Sequence, residues 1–301
     1  MSSEGIVISL ASGRCRVFTG GREIDCIVPA ELAKRQRSAL AVGDRVVAEA
    51  AEGGVWRLRE VVPRHTVLSR PDPLTPHQER LIAANIDLVV NVVSVKSPPL
   101  RVRLIDRYLI AIMRGGAAAA ICVNKVDLLE PRELQDALKA LDVYRALDVP
   151  VIACSTRTGD GLDALRDLLR GKTCALVGHS GVGKSSILNA LDERLKIATG
   201  DLHKRGTGRH TTTSSTLPDL GDDTFVIDTP GIREFGLWDI KPDELRDYFP
   251  DFAEAAEYCR FNDCTHLHEP RCEVKERVAR GEISPARYDT YIRLANDVAG
   301  R

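Results

Sequence analysis

Short apolar runs separated by glycine-containing turns fill the first 64 residues of the chain. About five strands in about 60 residues predict a small closed sheet, for which an OB-fold barrel is the leading candidate. We therefore expect a first domain at residues 1–64. The runs that we interpret as strands are Ile6–Ile8, Cys15–Phe18, Ile24–Val28, Arg45–Ala48 and Val55–Leu58.

The expected barrel is rich in basic residues, and such barrels commonly bind single-stranded or folded nucleic acid. Phe18 and Trp56 are its few aromatic residues able to stack on bases, so a protein-binding surface is the alternative interpretation. The basic residues are Arg14, Arg16, Arg22, Lys34, Arg35, Arg37, Arg45, Arg57, Arg59 and Arg64.

A second pattern begins near residue 86. Residues 86–95 form a nearly continuous apolar run, which is typical of a strand buried on both faces of a parallel sheet. Strands that alternate with helices after it predict an α/β domain with right-handed crossovers, here at residues 81–235. Residues 65–80, which are polar and rich in proline, predict a linker with little regular structure. The further predicted helices cover 101–114, 131–147 and 161–170, and the further strands cover 117–123, 149–153, 172–177 and 224–227.

The pattern changes to helices around a cysteine cluster after residue 236, which predicts a mainly helical domain at 236–301. The 301 residues are 44% hydrophobic and 28% charged with a net charge of −1, so any nucleic-acid surface must be local. No apolar run approaches the about 20 residues that span a bilayer, and the N-terminus is too acidic and short for a secretory signal. We expect a cytoplasmic protein whose five cysteines outside the cluster are buried as small apolar side chains.

Residues 178–185 have the spacing G-x-x-x-x-G-K-S of a phosphate-binding P-loop, between a predicted strand and a predicted helix. Backbone N–H groups of this turn would face phosphate oxygens, Lys184 would reach the β- and γ-phosphates, and the Ser185 hydroxyl would bind Mg²⁺. The residues expected to contact nucleotide here are Gly178, His179, Ser180, Gly181, Val182, Gly183, Lys184, Ser185 and Ser186.

The sequence N-K-x-D at a predicted strand end indicates guanine. The Asp127 carboxylate would accept from the ring N1–H and the exocyclic amine, two donors that adenine does not offer together. Asn124 would serve the base-edge oxygen and tie back to the P-loop, and the Lys125 stem would lie on the base. Ser155 belongs to a second loop placed to contact the base. The guanine-binding residues are therefore Asn124, Lys125, Val126, Asp127 and Ser155.

Two motifs after the P-loop would complete a Mg²⁺-GTP site. Asp228 follows the last predicted strand and would hold Mg²⁺ through water, while the Gly231 N–H would sense the γ-phosphate. A run of three threonines at 211–213 offers a hydroxyl to Mg²⁺, and we favour Thr212 among them.

These motifs occur in a rotated order, because N-K-x-D and the serine loop precede the P-loop instead of following it. A cyclic rotation preserves the site, since the termini of such domains often lie close together. With the N-terminal barrel, the sequence Gly208–Thr213 and a C-terminal cysteine pattern, the chain resembles the ribosome small-subunit-dependent GTPases (RsgA, also called YjeQ). These are circularly permuted GTPases, and the resemblance covers nearly the whole chain.

The C-terminal pattern is Cys259-x4-Cys264-x-His266-x5-Cys272, and three thiolates with one imidazole suit a closed structural zinc site. His268 is a nearby competitor, but the resemblance implies His266, because the family carries zinc on these four positions. One zinc ion would organise a small domain with little core of its own. The nearby basic residues are either an RNA-facing edge or solvated charges: Arg271, Lys275, Arg277 and Arg280.

The resemblance implies a monomeric GTPase, not bound to membranes, that binds the small ribosomal subunit and its rRNA and assists late maturation. It would hydrolyse GTP to GDP and phosphate with stimulation by the subunit. Ile232 occupies the position of the glutamine that orients water in many GTPases, so catalysis must come from elsewhere. His210 is the favoured residue, which the family pattern supports, and His179 is the second. The alternatives are a GTPase with another translation or membrane partner and an RNA-binding zinc and OB-fold adaptor in which GTP is mainly structural.

Overall fold

The chain folds into an N-terminal barrel, a parallel α/β sheet and a C-terminal helical region. The computed structural model describes residues 2–35, 40–51, 54–71, 79–195, 217–227 and 240–300. Within these ranges, no helix has the length and apolar character needed to cross a membrane.

Five strands close the N-terminal barrel in the order β1-β2-β3-β5-β4. The barrel closes because β1 pairs antiparallel with both β2 and β4. Alternate side chains such as Val7, Val17 and Val46 fill its interior, where they are fully buried. The predicted barrel is confirmed, and a helix between β3 and β4 is an addition to it. The elements are β1 Ser2–Ala11, β2 Arg14–Thr19, β3 Arg22–Ile27, α1 Ala30–Arg35, β4 Arg45–Ala50 and β5 Trp56–Val61.

An antiparallel hairpin joins the barrel to the sheet, where the sequence predicts a linker with little regular structure. Its strands are β6 Val67–Pro71 and β7 Glu79–Ala84. Leu68 and Ala83 are buried in a core cluster that also contains residues of the barrel and of the parallel sheet. The prediction of little regular structure is wrong for these two strands. The proline and polar residues lie mainly between two short apolar runs, at residues 67–68 and 81–84, which pair with each other and pack into the core.

Five parallel strands form the central sheet in the order β10-β9-β8-β11-β12. Every residue of β8 and β11 is buried, as a sheet covered on both faces requires. The single helix predicted over 131–147 is two helices, which meet near the fully buried Leu141. The elements are β8 Leu88–Ser94, α2 Val102–Arg114, β9 Ala118–Asn124, α3 Pro131–Lys139, α4 Asp142–Arg145, β10 Val151–Ala153, α5 Leu162–Leu169, β11 Thr173–Val177, α6 Lys184–Leu191 and β12 Phe225–Ile227.

Three helices dominate the C-terminal region: α7 Pro250–Ala256, α8 Glu273–Ala279 and α9 Pro285–Ala299. Its core is aromatic, because the rings of Phe252 and Tyr291 both pack on Phe249 with centroids 5.1 Å away. The cysteine cluster occupies the loop between α7 and α8. Cys264 and Cys272 belong to the same buried cluster as these rings, so the candidate metal ligands and the aromatic side chains share one core.

A buried charge cluster joins the C-terminal helices to the sheet region. Arg287 of α9 is only 4% exposed, and it donates to Asp106 of α2 at 2.5 Å and to Asp251 of α7 at 2.6 Å. Tyr144 of α4 donates to the same Asp106 oxygen at 2.7 Å. Burial raises the pKa of the Asp106 carboxyl, and the Arg287 charge opposes that shift. The two regions are thus held together by a network that is largely shielded from water.

Candidate nucleotide site and metal centre

The loops that follow β9, β10 and β11 meet at the carboxyl edge of the parallel sheet. Open α/β sheets bind their ligands at this edge. The loop after β12 lies outside the described residues. Four predicted site residues fall there or in the preceding gap and receive no structural account: His210, Thr212, Asp228 and Gly231.

The P-loop connects β11 to α6, in the strand–loop–helix context that the motif requires. Gly178 and Gly183 have φ angles of 144° and 98°, which side chains with a Cβ rarely adopt. A Cβ on Gly178 would lie 2.2 Å from the Val92 carbonyl oxygen, so the loop rests directly on β8. Lys184 begins α6, and its ammonium donates to the carbonyl oxygens of Gly178 and His179 at 2.7 and 3.1 Å. This charge lies inside the turn that would surround a phosphate group.

The remaining P-loop residues differ in how exposed they are to solvent. Val182 is buried, whereas His179 and Ser180 are exposed. Nδ1 of His179 lies 3.0 Å from the Ser180 carbonyl oxygen. Ser185 and Ser186 are half-buried in the first turn of α6. The helix N-terminus and both hydroxyl groups therefore lie next to the phosphate-binding turn.

Asn124 links the guanine motif to the P-loop. Its side chain is 1% exposed, its Nδ2 donates to the Val182 carbonyl oxygen at 2.9 Å, and its Oδ1 accepts from Lys125 N at 2.8 Å. Lys125 has a φ of 64°, and its ammonium donates to the carbonyl oxygens of Ser97 and Gly181 at 2.5 and 2.7 Å. The side chains of this motif therefore cross from β9 to the loop after β11.

Asp127 is held in place by the serine loop. The buried Ser155 hydroxyl donates to Asp127 Oδ1 at 2.6 Å, and Arg157 Nη1 lies 3.7 Å from Asp127 Oδ2. Ser155 Oγ in turn accepts from the backbone N–H groups of Arg157 and Thr158 at 3.2 Å. Val126, between the two recognition residues, donates its backbone N–H to the Cys154 carbonyl oxygen at 3.3 Å. The carboxylate is thus oriented at the sheet edge, as recognition of a base requires.

Two contributors to this site were not singled out from the sequence. Ser97 contributes a carbonyl oxygen to the Lys125 ammonium from the loop after β8. Arg157 supplies a cation beside Asp127, although its side chain is 78% exposed. No motif indicates the role of Ser97, because it acts through its backbone; Arg157 lies two residues after the serine, which is the one signal available.

Cys259, Cys264, His266 and Cys272 come together in the C-terminal region, with their ligand atoms all within 4.8 Å of one another. His266 Nδ1 lies 3.7 Å from Cys259 Sγ and 3.4 Å from Cys272 Sγ. The two sulfurs of that pair are 3.9 Å apart. A tetrahedral zinc ion with Zn–S bonds of about 2.3 Å separates its sulfurs by about 3.8 Å, so these residues fit a metal of that kind.

The chemistry of the donor set also favours a bound cation. Burial raises the pKa of the Cys264 thiol to about 12, and burial with the nearby Arg246 charge lowers the pKa of His266. The uncharged imidazole is ready to bind a metal, whereas a thiolate here needs a cation beside it. His268, the alternative imidazole, is exposed and outside the cluster.

Glu269 shapes the loop that carries His266. Its carboxylate accepts from the backbone N–H groups of Thr265, Leu267 and His268 at 2.8, 3.1 and 3.2 Å. Burial alone would raise the pKa of Glu269, but these bonds and the one from the Thr265 hydroxyl lower it to about 2. The loop is therefore closed around one carboxylate, independently of the metal ligands.

The basic edge considered beside the metal centre is partly neutralised. Arg277 pairs with Glu254 at 3.0 Å, and Arg280 pairs with Glu273 at 2.7 Å and Glu282 at 2.6 Å. In the barrel, Phe18 packs edge-on against Phe225 of β12, with the ring centroids 5.4 Å apart. This ring serves the contact between barrel and sheet instead of offering a face to a base.

The comparisons with known proteins agree with this architecture. The family model described as RsgA GTPase matches residues 61–238. A relative from Gemmatimonas aurantiaca, named small ribosomal subunit biogenesis GTPase RsgA, is 38% identical over 306 residues, covering 100% of this chain and 99% of its own. A Haemophilus influenzae relative of the same name is 37% identical over 307 residues, and the match covers 99% of this chain and 86% of that relative.

Two solved structures share the whole fold. YjeQ from Thermotoga maritima is 32% identical with a TM-score of 0.83, covering 100% of both chains. YloQ, described as a circularly permuted GTPase, is 30% identical with a TM-score of 0.80, covering 100% of this chain and 96% of its own. With the rotated motif order and the sheet-edge site, these matches show that this chain belongs to the RsgA GTPase family, whose members hydrolyse GTP.

Proposed function

We propose that this protein binds the small ribosomal subunit, assists its late maturation, and hydrolyses GTP to GDP and phosphate with stimulation by that subunit. The observation that carries the guanine-nucleotide part is the 2.9 Å bond from Asn124 Nδ2 to the Val182 carbonyl oxygen. It joins the base-recognition motif to the phosphate-binding loop in one site. The ribosomal partner rests on the names of full-length relatives. We also propose that the protein acts as a monomer in the cytoplasm.

In the proposed site, Asp127 accepts from the guanine ring N1–H and exocyclic amine while Ser155 holds its carboxylate. The Lys184 ammonium leaves its carbonyl partners for the β- and γ-phosphates, and the α6 N-terminus adds partial positive charge. Mg²⁺ would be held by Ser185, Thr212 and, through water, Asp228, and it would neutralise charge on the phosphates during transfer.

The hydrolytic step needs a residue other than the one after the D-x-x-G motif, because Ile232 has no group that can orient water. We assign this role to His210 in the basic threonine loop. An imidazole there would orient the attacking water when the subunit is bound, which accounts for stimulation by a partner.

We further propose that Cys259, Cys264, His266 and Cys272 hold one structural zinc ion. Support comes from the 3.4–3.9 Å separations within this donor set and from its buried position. The metal would organise residues 236–301 as one domain, beside an RNA-contacting barrel at 1–64 and a nucleotide domain at 81–235.

Hydrolysis assays with and without purified small subunits test the proposal. We expect slow turnover by the protein alone and a marked rise with small but not large subunits. The matched variant Lys184→Ala should abolish both rates, because it removes the phosphate-binding cation. Equal rates with and without subunits would contradict stimulation.

Co-sedimentation with subunits in the presence of a non-hydrolysable GTP analogue or GDP tests the partner separately. We expect the analogue to favour the bound state. Binding that is unaffected by nucleotide, together with undetectable hydrolysis, would instead favour an RNA-binding adaptor in which GTP is structural.

A further inference from the structure

Two buried thiols touch directly beneath the proposed guanine-recognition loops. Cys122 lies in β9 and Cys154 follows β10, and their Sγ atoms are 3.2 Å apart. Both side chains are fully buried, and neither belongs to the metal centre or the P-loop. A disulfide requires an S–S distance of about 2.05 Å, so a movement of about 1 Å would join them.

We propose that Cys122 and Cys154 form a reversible disulfide when a peroxide oxidises the protein, and that this bond weakens guanine-nucleotide binding. The second half of the inference rests on the guanine site proposed above. The bond would make nucleotide affinity depend on the redox state of the compartment, a property that neither the GTPase motifs nor the metal centre supplies.

The surroundings of Cys154 explain why a small shift would matter. Its backbone N–H donates to the Val123 carbonyl oxygen at 2.8 Å, and its own carbonyl oxygen accepts from Val126 N at 3.3 Å. Its thiol lies 3.7 Å from Asn124 Oδ1, and the next residue is Ser155, which orients Asp127. A displacement of Cys154 towards β9 therefore acts on both base-recognition loops together.

The contact between the two thiols shifts their pKa values in opposite directions. It lowers the pKa of Cys154, whereas the same contact and burial raise the pKa of Cys122. Either sulfur can be the donor in this contact, so either can attack first and the other then closes the disulfide.

For reaction that begins at Cys154, its sulfur attacks one oxygen of hydrogen peroxide, so that an S–O bond forms, the O–O bond breaks and, with a proton, water leaves. The Cys122 sulfur then attacks the Cys154 sulfenic acid, its thiol proton leaves with the hydroxyl group as a second water, and the S–S bond forms. Two thiols are oxidised to one disulfide, and one peroxide is reduced to two waters.

Access to the pair requires local opening, because neither thiol is exposed in the folded chain. The base-recognition loops lie over it at the sheet edge, so a bound guanine nucleotide would hold the closed arrangement. Linkage is reciprocal: if the disulfide weakens nucleotide binding, bound nucleotide must oppose formation of the disulfide. We therefore expect GDP to slow the oxidation.

The remaining cysteines provide internal controls. Cys174 is equally buried, and its sulfur lies 3.8 Å from the carbonyl oxygens of Leu169 and Lys172, with no thiol contact recorded in the described part of the chain. Cys15 and Cys26 face each other across β2 and β3 in the barrel, away from the nucleotide edge. A disulfide between them would not act on base recognition.

The test uses the full-length, zinc-loaded protein treated with hydrogen peroxide, with the affinity for a fluorescent GDP analogue measured before treatment, after it, and after dithiothreitol. We expect wild type and the matched control Cys174→Ala to lose about tenfold in affinity and to recover it on reduction. Cys122→Ala should keep its affinity. Metal release, followed with a chromogenic chelator, separates these changes from oxidation of the metal centre.

Peptide mapping under non-reducing conditions shows directly whether the disulfide has formed, without use of the variants. We expect a peptide linking Cys122 to Cys154, formed more slowly when GDP is present. Absence of this peptide from folded, oxidised protein overturns the inference, as does an unchanged GDP affinity in protein that contains it. If the reduced protein fails to bind GDP at all, the proposed guanine site and the effect on affinity are both overturned, while the map still decides the bond.

Discussion

At the scale of single residues, the nucleotide site depends on which groups donate and which accept. The Asp127 side chain is only 10% exposed at the sheet edge, and one of its oxygens already accepts from Ser155 at 2.6 Å. Gly183 leaves room for Asn124, because a Cβ there would lie 2.3 Å from Asn124 Nδ2. The residue type required at each of these positions therefore depends on a contact with a residue that is distant in the sequence.

The variant Asp127→Asn should change base preference from guanine to xanthine. It replaces an acceptor with a donor, while the amide oxygen can still accept from Ser155; xanthine presents a carbonyl where guanine has its amine. Loss of a charged hydrogen bond should weaken GDP binding by about 10- to 100-fold. Titration with fluorescent GDP and XDP checks this, and an unchanged GDP affinity would contradict the assigned role.

A second residue-scale prediction distinguishes the two imidazoles near the metal centre. His266→Ala should lose stoichiometric zinc, because Nδ1 of His266 lies within 3.7 Å of two thiols. The matched variant His268→Ala removes an exposed imidazole outside the cluster and should retain the metal. Metal analysis of both purified proteins decides, and zinc loss from His268→Ala alone would reverse the assignment.

At the scale of elements, short loops are fixed by single polar side chains that replace regular hydrogen bonding. The loop from Thr265 to Glu269 has no strand or helix, yet three of its backbone N–H groups are satisfied by one carboxylate. Tyr288 and Tyr291 of α9 add hydroxyl donors to the carbonyl oxygens of His266 and Thr265 at 2.7 and 2.6 Å. The metal ligand His266 is thus positioned by α9 as well as by its own loop.

Glu269→Ala should destabilise this loop by about 1–3 kcal/mol, because it removes the acceptor for these donors. Glu269→Gln is the matched control, since its amide oxygen can keep some of the bonds, and it should have a smaller effect. The measurement is the rate of zinc release to a chelator, which we expect to rise most in the alanine variant. Equal release rates in wild type and both variants would show that the carboxylate does not support the metal site.

At the scale of the whole molecule, a buried ion pair holds the C-terminal region against the nucleotide region. Arg287 and Asp106 are separated by 181 positions in the sequence, and their side chains are 4% and 1% exposed. Breaking a buried pair by removing one partner leaves an unpaired charge, which costs about 3–5 kcal/mol. The network therefore sets both the stability and the relative placement of the two regions.

Arg287→Ala should accordingly shift urea-induced unfolding to clearly lower urea. Arg293→Ala is the matched control on the same helix, because Arg293 is 56% exposed and its pair with Asp289 should contribute less than about 1 kcal/mol. Unfolding followed by tyrosine and tryptophan fluorescence compares them. Similar shifts in the two variants would contradict a structural role for the buried network.

The sequence by itself determined the barrel, the alternating α/β pattern, the P-loop and the spacing of the metal ligands. Each of these depends on residues that are close in the chain, where periodicity and glycine positions restrict the backbone directly. It failed for residues 67–71 and 79–80 of the predicted linker. A hairpin depends on pairing between two separated segments, and the proline and polar residues between them resemble a linker.

Only the tertiary structure decided which distant side chains touch. It placed Ser155 on Asp127, Arg287 on Asp106 and Cys122 against Cys154. Five buried cysteines looked equivalent in the sequence, and strand order alone put one pair under the nucleotide loops. The physical reason is that local spacing fixes backbone conformation, whereas contacts between remote groups follow from how completed elements pack.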